Sequence, residues 1–176
     1  MTNSNIFYGK VWSKTYLRRY RDMFKNWKGT LMPPEANSGD REFLDITDDY
    51  PDPAPLINKY LKYLPDKVAN QFYYSISSGY SADARLSLYK IDQKYDWHHD
   101  ATPNRKHPKN SNWNRIISSI TYLNDNFEGG ETEFYDQFII PKSGQTLIFP
   151  SSFVFPHRGL PIKSGVKKII VMHIWT

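Results

Sequence analysis

Within Tyr95-Asp96-Trp97-His98-His99-Asp100, His98 and Asp100 stand two positions apart, so in an extended strand they project from one face. A neutral imidazole beside a carboxylate is half of a metal site. A second histidine arriving from elsewhere in the chain completes a set of two His and one carboxylate with open positions, the facial triad of non-haem Fe(II) oxygenases. The tripeptide alone occurs by chance in many chains, so the remaining residues decide its meaning. His99 faces away from His98 and reads as a surface or packing residue. Three downstream features matter most. His157 follows the apolar run Thr146-Leu147-Ile148-Phe149, Lys167 opens the last strand-like segment, and His157-Arg158-Gly159-Leu160-Pro161-Ile162-Lys163-Ser164-Gly165-Val166-Lys167 joins the two. Ahead of them lie Tyr122-Leu123-Asn124-Asp125 and Glu128-Gly129-Gly130-Glu131-Thr132-Glu133-Phe134.

The elements that must position these residues follow from periodicity. Trp12, Tyr16, Tyr20, Met23, Phe24 and Trp27 recur at helical spacing, which predicts a helix over about Ser13 to Trp27, with Ser13 as N-cap and Gly29 as stop. Thr30 to Pro55 is loop-like, broken by Pro33, Pro34, Pro51, Pro53 and Pro55, with one short strand over Glu42–Thr47. A short helix over about Leu56 to Leu64 is ended by Pro65. From there the pattern predicts strands near Gln71–Ser77, Arg85–Ile91, Asp96–Asp100, Arg115–Leu123, Glu131–Tyr135, Gln145–Phe149 and Lys167–Trp175, separated by glycine-containing turns. Helices followed by many short strands indicate a mainly β fold with N-terminal helices and a double-stranded β-helix (jelly-roll) core. The expected organisation is one domain over 1–176, with a helical and loop part over about 1–66 and the jelly roll over about 67–176. On the final strand Lys167, Ile169, Val171, His173 and Trp175 share one face and Lys168, Ile170, Met172 and Ile174 the other, which makes Lys167 the inward lysine.

Composition narrows the chemistry. The absence of cysteine excludes disulfides, zinc–thiolate sites and thiol catalysis. Aromatic residues at 16% suit a sheet-rich fold. No apolar run is long enough to span a bilayer and the polar start Met1-Thr2-Asn3-Ser4-Asn5 lacks a signal-peptide core, so a cytoplasmic protein without membrane contact is expected. The net charge of +5 is blocked: residues 1–28 hold seven Lys/Arg against Asp22, and residues 29–55 hold seven acids against Arg41. These two blocks are expected to neutralise one another in space. The Pro-, Asn- and Lys/Arg-rich stretch Ala101 to Asn114, with a solvated His107, directly follows the metal tripeptide, where an active-site lid would sit. Its charge also raises a nucleic-acid partner, against the simpler reading of solvated lysines.

On these motifs the chain resembles the prolyl 4-hydroxylase-type branch of the Fe(II)/2-oxoglutarate dioxygenases over about residues 80 to 176. The resemblance implies iron ligation by His98, Asp100 and His157, with these as the catalytic set. It places the co-substrate lysine in a His-x3-Pro-Val-x2-Gly-x-Lys run at His157, Pro161, Ile162, Gly165 and Lys167. Tyr122-Leu123-Asn124 and Glu128-Gly129-Gly130-Glu131-Thr132 also match the branch. Implied cofactors are Fe(II), 2-oxoglutarate as co-substrate and O₂, with ascorbate as a further candidate. Two imidazoles and one carboxylate leave three metal positions. 2-Oxoglutarate takes two of them and extends its distal C5 carboxylate toward a cation in a dry pocket, a role that suits Lys167. Tyr89 resembles the tyrosine that helps hold 2-oxoglutarate, and Thr132 or Tyr122 fits a hydrogen bond to the C5 carboxylate. Tyr95 and Arg115 fall where the branch contacts its peptide.

Two positions depart from the pattern: His173 and Lys168 stand where tryptophan is common. Both bear on the substrate rather than on the iron chemistry, and His173 reads equally as a satisfied core residue or a pocket residue. Because Asp100 fills the carboxylate position, hydroxylation is favoured over halogenation. The implied function is hydroxylation of prolyl residues in a peptide or protein, with succinate and CO₂ released. Free amino acids or other small molecules come next, and a non-catalytic jelly-roll binding module is the rival from another class. A nucleic-acid demethylase usually holds the C5 carboxylate with arginine, so Lys167 counts against it.

Overall fold

Alternation along the last strand sets the two faces of the main sheet. The structure is a computed structural model describing residues 5–31, 41–49, 52–101 and 114–176. The strands in chain order are β1 (Phe7–Gly9), β2 (Thr30–Leu31), β3 (Glu42–Asp45), β4 (Ser81–Tyr89), β5 (Tyr95–His98), β6 (Arg115–Tyr122), β7 (Phe127–Gly129), β8 (Thr132–Phe134), β9 (Phe138–Ile139), β10 (Thr146–Pro150), β11 (His157–Gly159), β12 (Ile162–Gly165) and β13 (Lys167–Trp175). The helices are α1 (Lys14–Met23), α2 (Ala54–Tyr63) and α3 (Asp66–Ser77). Among the described residues the main sheet has the order β1-β10-β6-β13-β4-β3-β2, faced by a smaller sheet β5-β11-β8-β9, with β12-β7 as a separate ribbon. This is the expected jelly roll.

The main sheet is buried on both faces. On one, Ile170, Met172 and Ile174 of β13 and Ala84, Leu86 and Leu88 of β4 join Leu17, Tyr20, Leu56, Ile57, Tyr60, Phe72 and Ile76 of the helices in one core. On the other, Ile169, Tyr122, Leu147 and Phe149 meet Phe134, Ile139 and Phe155 in a second core between the sheets. The antiparallel register Lys167↔Tyr89, Val171↔Arg85 and His173↔Asp83 keeps the polar positions of β4 and β13 on the same side. Polar chemistry therefore shares a face with the second core, and the helices brace the reverse.

Local signals explain the helices. The Ser13 side chain accepts the Tyr16 N–H at 3.2 Å, the expected N-cap, and α1 ends in a short 3₁₀ turn, Phe24–Asn26, before Gly29. The strand expected over Gln71–Ser77 is instead the second half of α3. Phe72 and Ile76 lie four apart and are the residues it buries, while Tyr73 and Tyr74 point to solvent. The aromatic run Phe72-Tyr73-Tyr74 carries β propensity that this packing overrides. α3 thus occupies the first residues of the part expected to be jelly roll. The N-terminal part in turn lends the main sheet β1, paired to β10, and β2 and β3, beside β4.

The basic and acidic blocks meet where Arg19 of α1 pairs with Asp49. Of the stretch Ala101 to Asn114, expected as a lid, residues 102–113 with His107 lie outside the described residues. Among the described residues no helix is long and apolar enough to cross a membrane.

Leu86, with no solvent exposure, lies between the helices and the sheet. Leu86→Ala should cost about 2–5 kcal/mol, as buried leucine truncations do, and lower the urea midpoint without changing the slope of the transition.

Candidate metal centre

His98 and His157 face one another across the β5–β11 pair, in register. β11 then shifts register between His157 and Gly159, so that Gly159 meets Tyr95. β5 ends at His98, and Asp100 lies just past it rather than inside a strand. The Ala101 N–H donates to the Ser151 carbonyl at 2.7 Å, which anchors the chain after Asp100. His98 Nε2 is 3.6 Å from Asp100 Oδ1, and His157 Nε2 is 3.7 Å from Asp100 Oδ2. One ligand atom from each of His98, Asp100 and His157 lies within 4.8 Å of the others. His99 is exposed, as its opposite facing requires.

The donor set fits a divalent cation. His98 Nδ1 sits 2.7 Å from the Asp96 carbonyl and His157 Nδ1 sits 3.2 Å from the Phe155 carbonyl. An Nδ1–H donated to each carbonyl leaves both Nε2 lone pairs facing Asp100, the outer hydrogen bond that fixes tautomer and ring orientation in histidine ligands. Burial, aided by the His157 charge, lowers the His98 pKa to about 4 against the pull of Asp100, and burial likewise lowers that of His157. Both imidazoles are thus neutral at physiological pH, as ligation demands. Burial by itself raises the Asp100 pKa, but His173, His157, His98 and a hydrogen bond from Ser118 outweigh it and hold the carboxyl well below the usual range.

Lys167 is 4% exposed and faces the pocket, whereas Lys168 lies on the helix side with its ammonium over the Phe24 ring. Lys167 Nζ donates to the Gly130 carbonyl at 2.6 Å and lies 5.4 Å and 5.5 Å from the Tyr89 and Tyr122 ring centres. Gly130 has φ +66, and a Cβ there would stand 2.4 Å from Ile162 Cδ1, so this carbonyl reaches the lysine only on a glycine. Burial lowers the Lys167 pKa to about 8, opposed by Glu131. Thr132 and Tyr122 share a 2.8 Å hydrogen bond; Thr132 lines the pocket, and Tyr122 is fully buried.

One pocket brings together His98, Asp100 and His157 with Lys167, Tyr89, Thr132, Tyr95, Arg115 and His173. Of the site residues expected from sequence, Tyr122 alone does not line it. Tyr95 packs on His98 with ring centres 3.7 Å apart, and Arg115 lies over Trp175 at 4.6 Å. His173 is a pocket residue with a bound partner: its Nδ1 is 2.8 Å from Asp83 Oδ1 and its Nε2 is 3.8 Å from Asp100 Oδ2. Sequence reasoning missed Arg41, Arg85 and Ser118, which also line the pocket, and Asp83 behind His173. Parity along β4 from Tyr89 points to Ser87, Arg85 and Asp83. Arg41, whose guanidinium lies 4.2 Å over the Tyr95 ring, depends on strand pairing that local periodicity does not carry.

Two imidazoles and a carboxylate on the wall of a jelly roll are the donor set of non-haem iron oxygenases. Residues 84–175, just over half of the chain, match the 2OG-Fe(II) oxygenase superfamily, and the protein belongs to that family. Its members use Fe(II), 2-oxoglutarate and O₂, so the chain is a dioxygenase of this type. No curated protein matches the sequence. Among solved structures, the viral collagen prolyl hydroxylase of Paramecium Bursaria Chlorella virus-1, as its 2-oxoglutarate complex, is 23% identical with a TM-score of 0.64, covering 98% of this chain and 96% of its own. A Pseudomonas putida prolyl-4-hydroxylase is 15% identical with a TM-score of 0.67, covering 97% and 91%. A Trichoplax adhaerens prolyl hydroxylase, in complex with a hypoxia inducible factor peptide fragment, is 15% identical with a TM-score of 0.65, covering 98% and 84%. At these identities the likeness establishes the fold.

Mn(II) titration by calorimetry checks the donor set. Asp100→Ala and His98→Ala should each abolish measurable binding, while His99→Ala, on the exposed side, should leave the affinity within about twofold, the scatter of surface changes.

Proposed function

We propose that the protein hydroxylates prolyl residues in a peptide or protein, converting 2-oxoglutarate and O₂ to succinate and CO₂. In this reading Fe(II) is held by His98, Asp100 and His157. The observation that carries it is one pocket holding three convergent ligand atoms at one point and a buried lysine at another. Bound Fe(II) supplies the redox chemistry that activates O₂. The side chains supply the rest. His98 and His157 offer preset Nε2 lone pairs, and Asp100 brings the negative charge of the set.

Lys167 takes the distal carboxylate of 2-oxoglutarate. Its ammonium now rests on a carbonyl and two aromatic faces, so an incoming carboxylate gives it a full counter-charge in a buried site. Thr132, backed by the Tyr122 hydroxyl, and Tyr89 flank that carboxylate. Tyr95 and Arg115 sit at the substrate end, where prolyl hydroxylases meet their peptide. A free amino acid or other small molecule is the second reading, favoured by His173 and Lys168 at positions where tryptophan is common in peptide hydroxylases. Retention of all three ligands and the lysine supports turnover over a silent binding module.

Succinate formation from 2-oxoglutarate under air, with Fe(II) and ascorbate, tests the proposal with and without proline-containing peptides. The wild type should turn over slowly alone and faster with a peptide it accepts. Turnover that survives His98→Ala or Asp100→Ala would sink the metal assignment. Lys167→Ala should raise the KM for 2-oxoglutarate by roughly 100-fold, the scale of a buried charge-assisted contact, and Lys168→Ala should do little. pH supplies an independent check. The free Lys167 pKa is lowered to about 8, and a bound carboxylate raises it. Affinity for 2-oxoglutarate should therefore be flat below about pH 8 and fall roughly tenfold per unit above it, with proton uptake on binding.

A further inference from the structure

The pocket carries more positive charge than the metal centre and Lys167 account for. Alternation along β4 places Asp83 and Arg85 on the pocket side, and Arg115 opens β6 opposite Trp175. Arg85 and Arg115 both reach for the same atom, Asp83 Oδ2, at 3.7 Å and 3.5 Å. Charge-assisted guanidinium–carboxylate bonds are shorter, about 2.7–2.9 Å, so neither arginine is well matched. The other oxygen, Asp83 Oδ1, is already taken by His173 at 2.8 Å.

Two guanidiniums thus divide one carboxylate oxygen, although each carries five N–H donors. Arg115 Nε is buried and has no hydrogen-bond partner among the described residues. Its guanidinium carbon lies over the Trp175 ring, 4.6 Å from the ring centre, a contact that holds the group without satisfying its donors. Burial lowers the Arg115 pKa, against the pull of Asp83, so its charge is incompletely compensated. A buried cation without a matched anion is costly, and an incoming anion removes that cost. With a divalent cation at Asp100 and 2-oxoglutarate at Lys167, Arg85 and Arg115 still have only Asp83 between them, and Arg41 adds a third guanidinium to the same wall.

We propose that Arg85 and Arg115 bind an anionic group of the substrate, and that this group is a carboxylate. The fork of N–H donors on each guanidinium matches the two oxygens of a carboxylate. The substrate is therefore acidic next to the site of oxidation, as an Asp or Glu residue in a peptide or as the α-carboxylate of a free amino acid. The inference rests on the proposed function for placing substrate in this pocket, but not on the substrate being prolyl.

Calorimetry on protein loaded with Mn(II) in place of Fe(II) and saturated with 2-oxoglutarate tests it by binding alone. Three matched pairs serve as probes: L-proline and L-prolinamide, acetyl-Ala-Pro-Glu-Ala-amide and its Gln counterpart, and L-leucine and L-leucinamide. The carboxylate member of at least one pair should bind about tenfold tighter or better, the scale of a charge-assisted hydrogen bond. The gap should narrow as salt is raised. The pair that shows it tells peptide from free amino acid. Arg85→Gln and Arg115→Gln should bring the ratio to within about twofold, Arg85→Lys should keep part of it, and Asp83→Asn, which removes the competing carboxylate, should widen it. Thermal melts identify any variant that fails to fold, and the widening in Asp83→Asn then decides. Equal binding within every pair, binding of none of the six probes, or a gap that survives both glutamine variants would overturn the inference. A gap confined to leucine would support it and sink the prolyl reading. Prolyl probes that bind while no pair shows a gap would do the reverse.

Discussion

A carboxylate that is 9% exposed has to be matched by positive charge or by donors, and the architecture around Asp100 is arranged to meet that demand. Imidazole Nε2 atoms of His98, His157 and His173 stand at 3.6 Å, 3.7 Å and 3.8 Å from its oxygens. None is a tight hydrogen bond in itself. For His98 and His157 such spacing suits groups gathered around a common point rather than bonded to one another, which is what a metal ion requires of its ligands, whereas His173 is held by Asp83. The three histidines come from β5, β11 and β13, so both sheets must be in place before the charge is accommodated. Site and fold are in this sense one requirement.

The two cores divide the labour. Branched and aromatic side chains of α1, α2 and α3 cover one face of the main sheet, which frees the other for lysine, arginine and histidine. Along β13 this is visible residue by residue: Lys167, Ile169, Val171, His173 and Trp175 face the site, and Lys168, Ile170, Met172 and Ile174 the helices. Parity is strictly held because a slip of one position would turn Lys168 into the pocket and put Lys167 and His173 among the apolar side chains of the helices.

Much of this was legible in the order of residues. Strand parity chose Lys167 over Lys168 and His98 over His99, and spacing alone marked Ser13 as a cap. The motif resemblance placed His157, which no periodicity could bring across to His98. What escaped detection depended on contacts distant in sequence. α3 was hidden behind aromatic residues that favour strands, since only its packing against α2 and the sheet shows which of them are buried. Arg41 enters the pocket through the pairing of β3 with β4, a register that the intervening loop does not encode locally. The short strands β1, β7, β9 and β12, three or four residues or fewer, are too brief for alternation to be recognised.

The smaller sheet gives the ligands unequal mechanical support. β11, carrying His157, is bonded on both sides, to β5 and β8, whereas β5, carrying His98, closes the sheet's edge with a single neighbour among the described residues. An edge strand opens at lower cost than an interior one. The residues that would hold the ion are therefore supported unequally, His157 by a strand on each side and His98 by one neighbour.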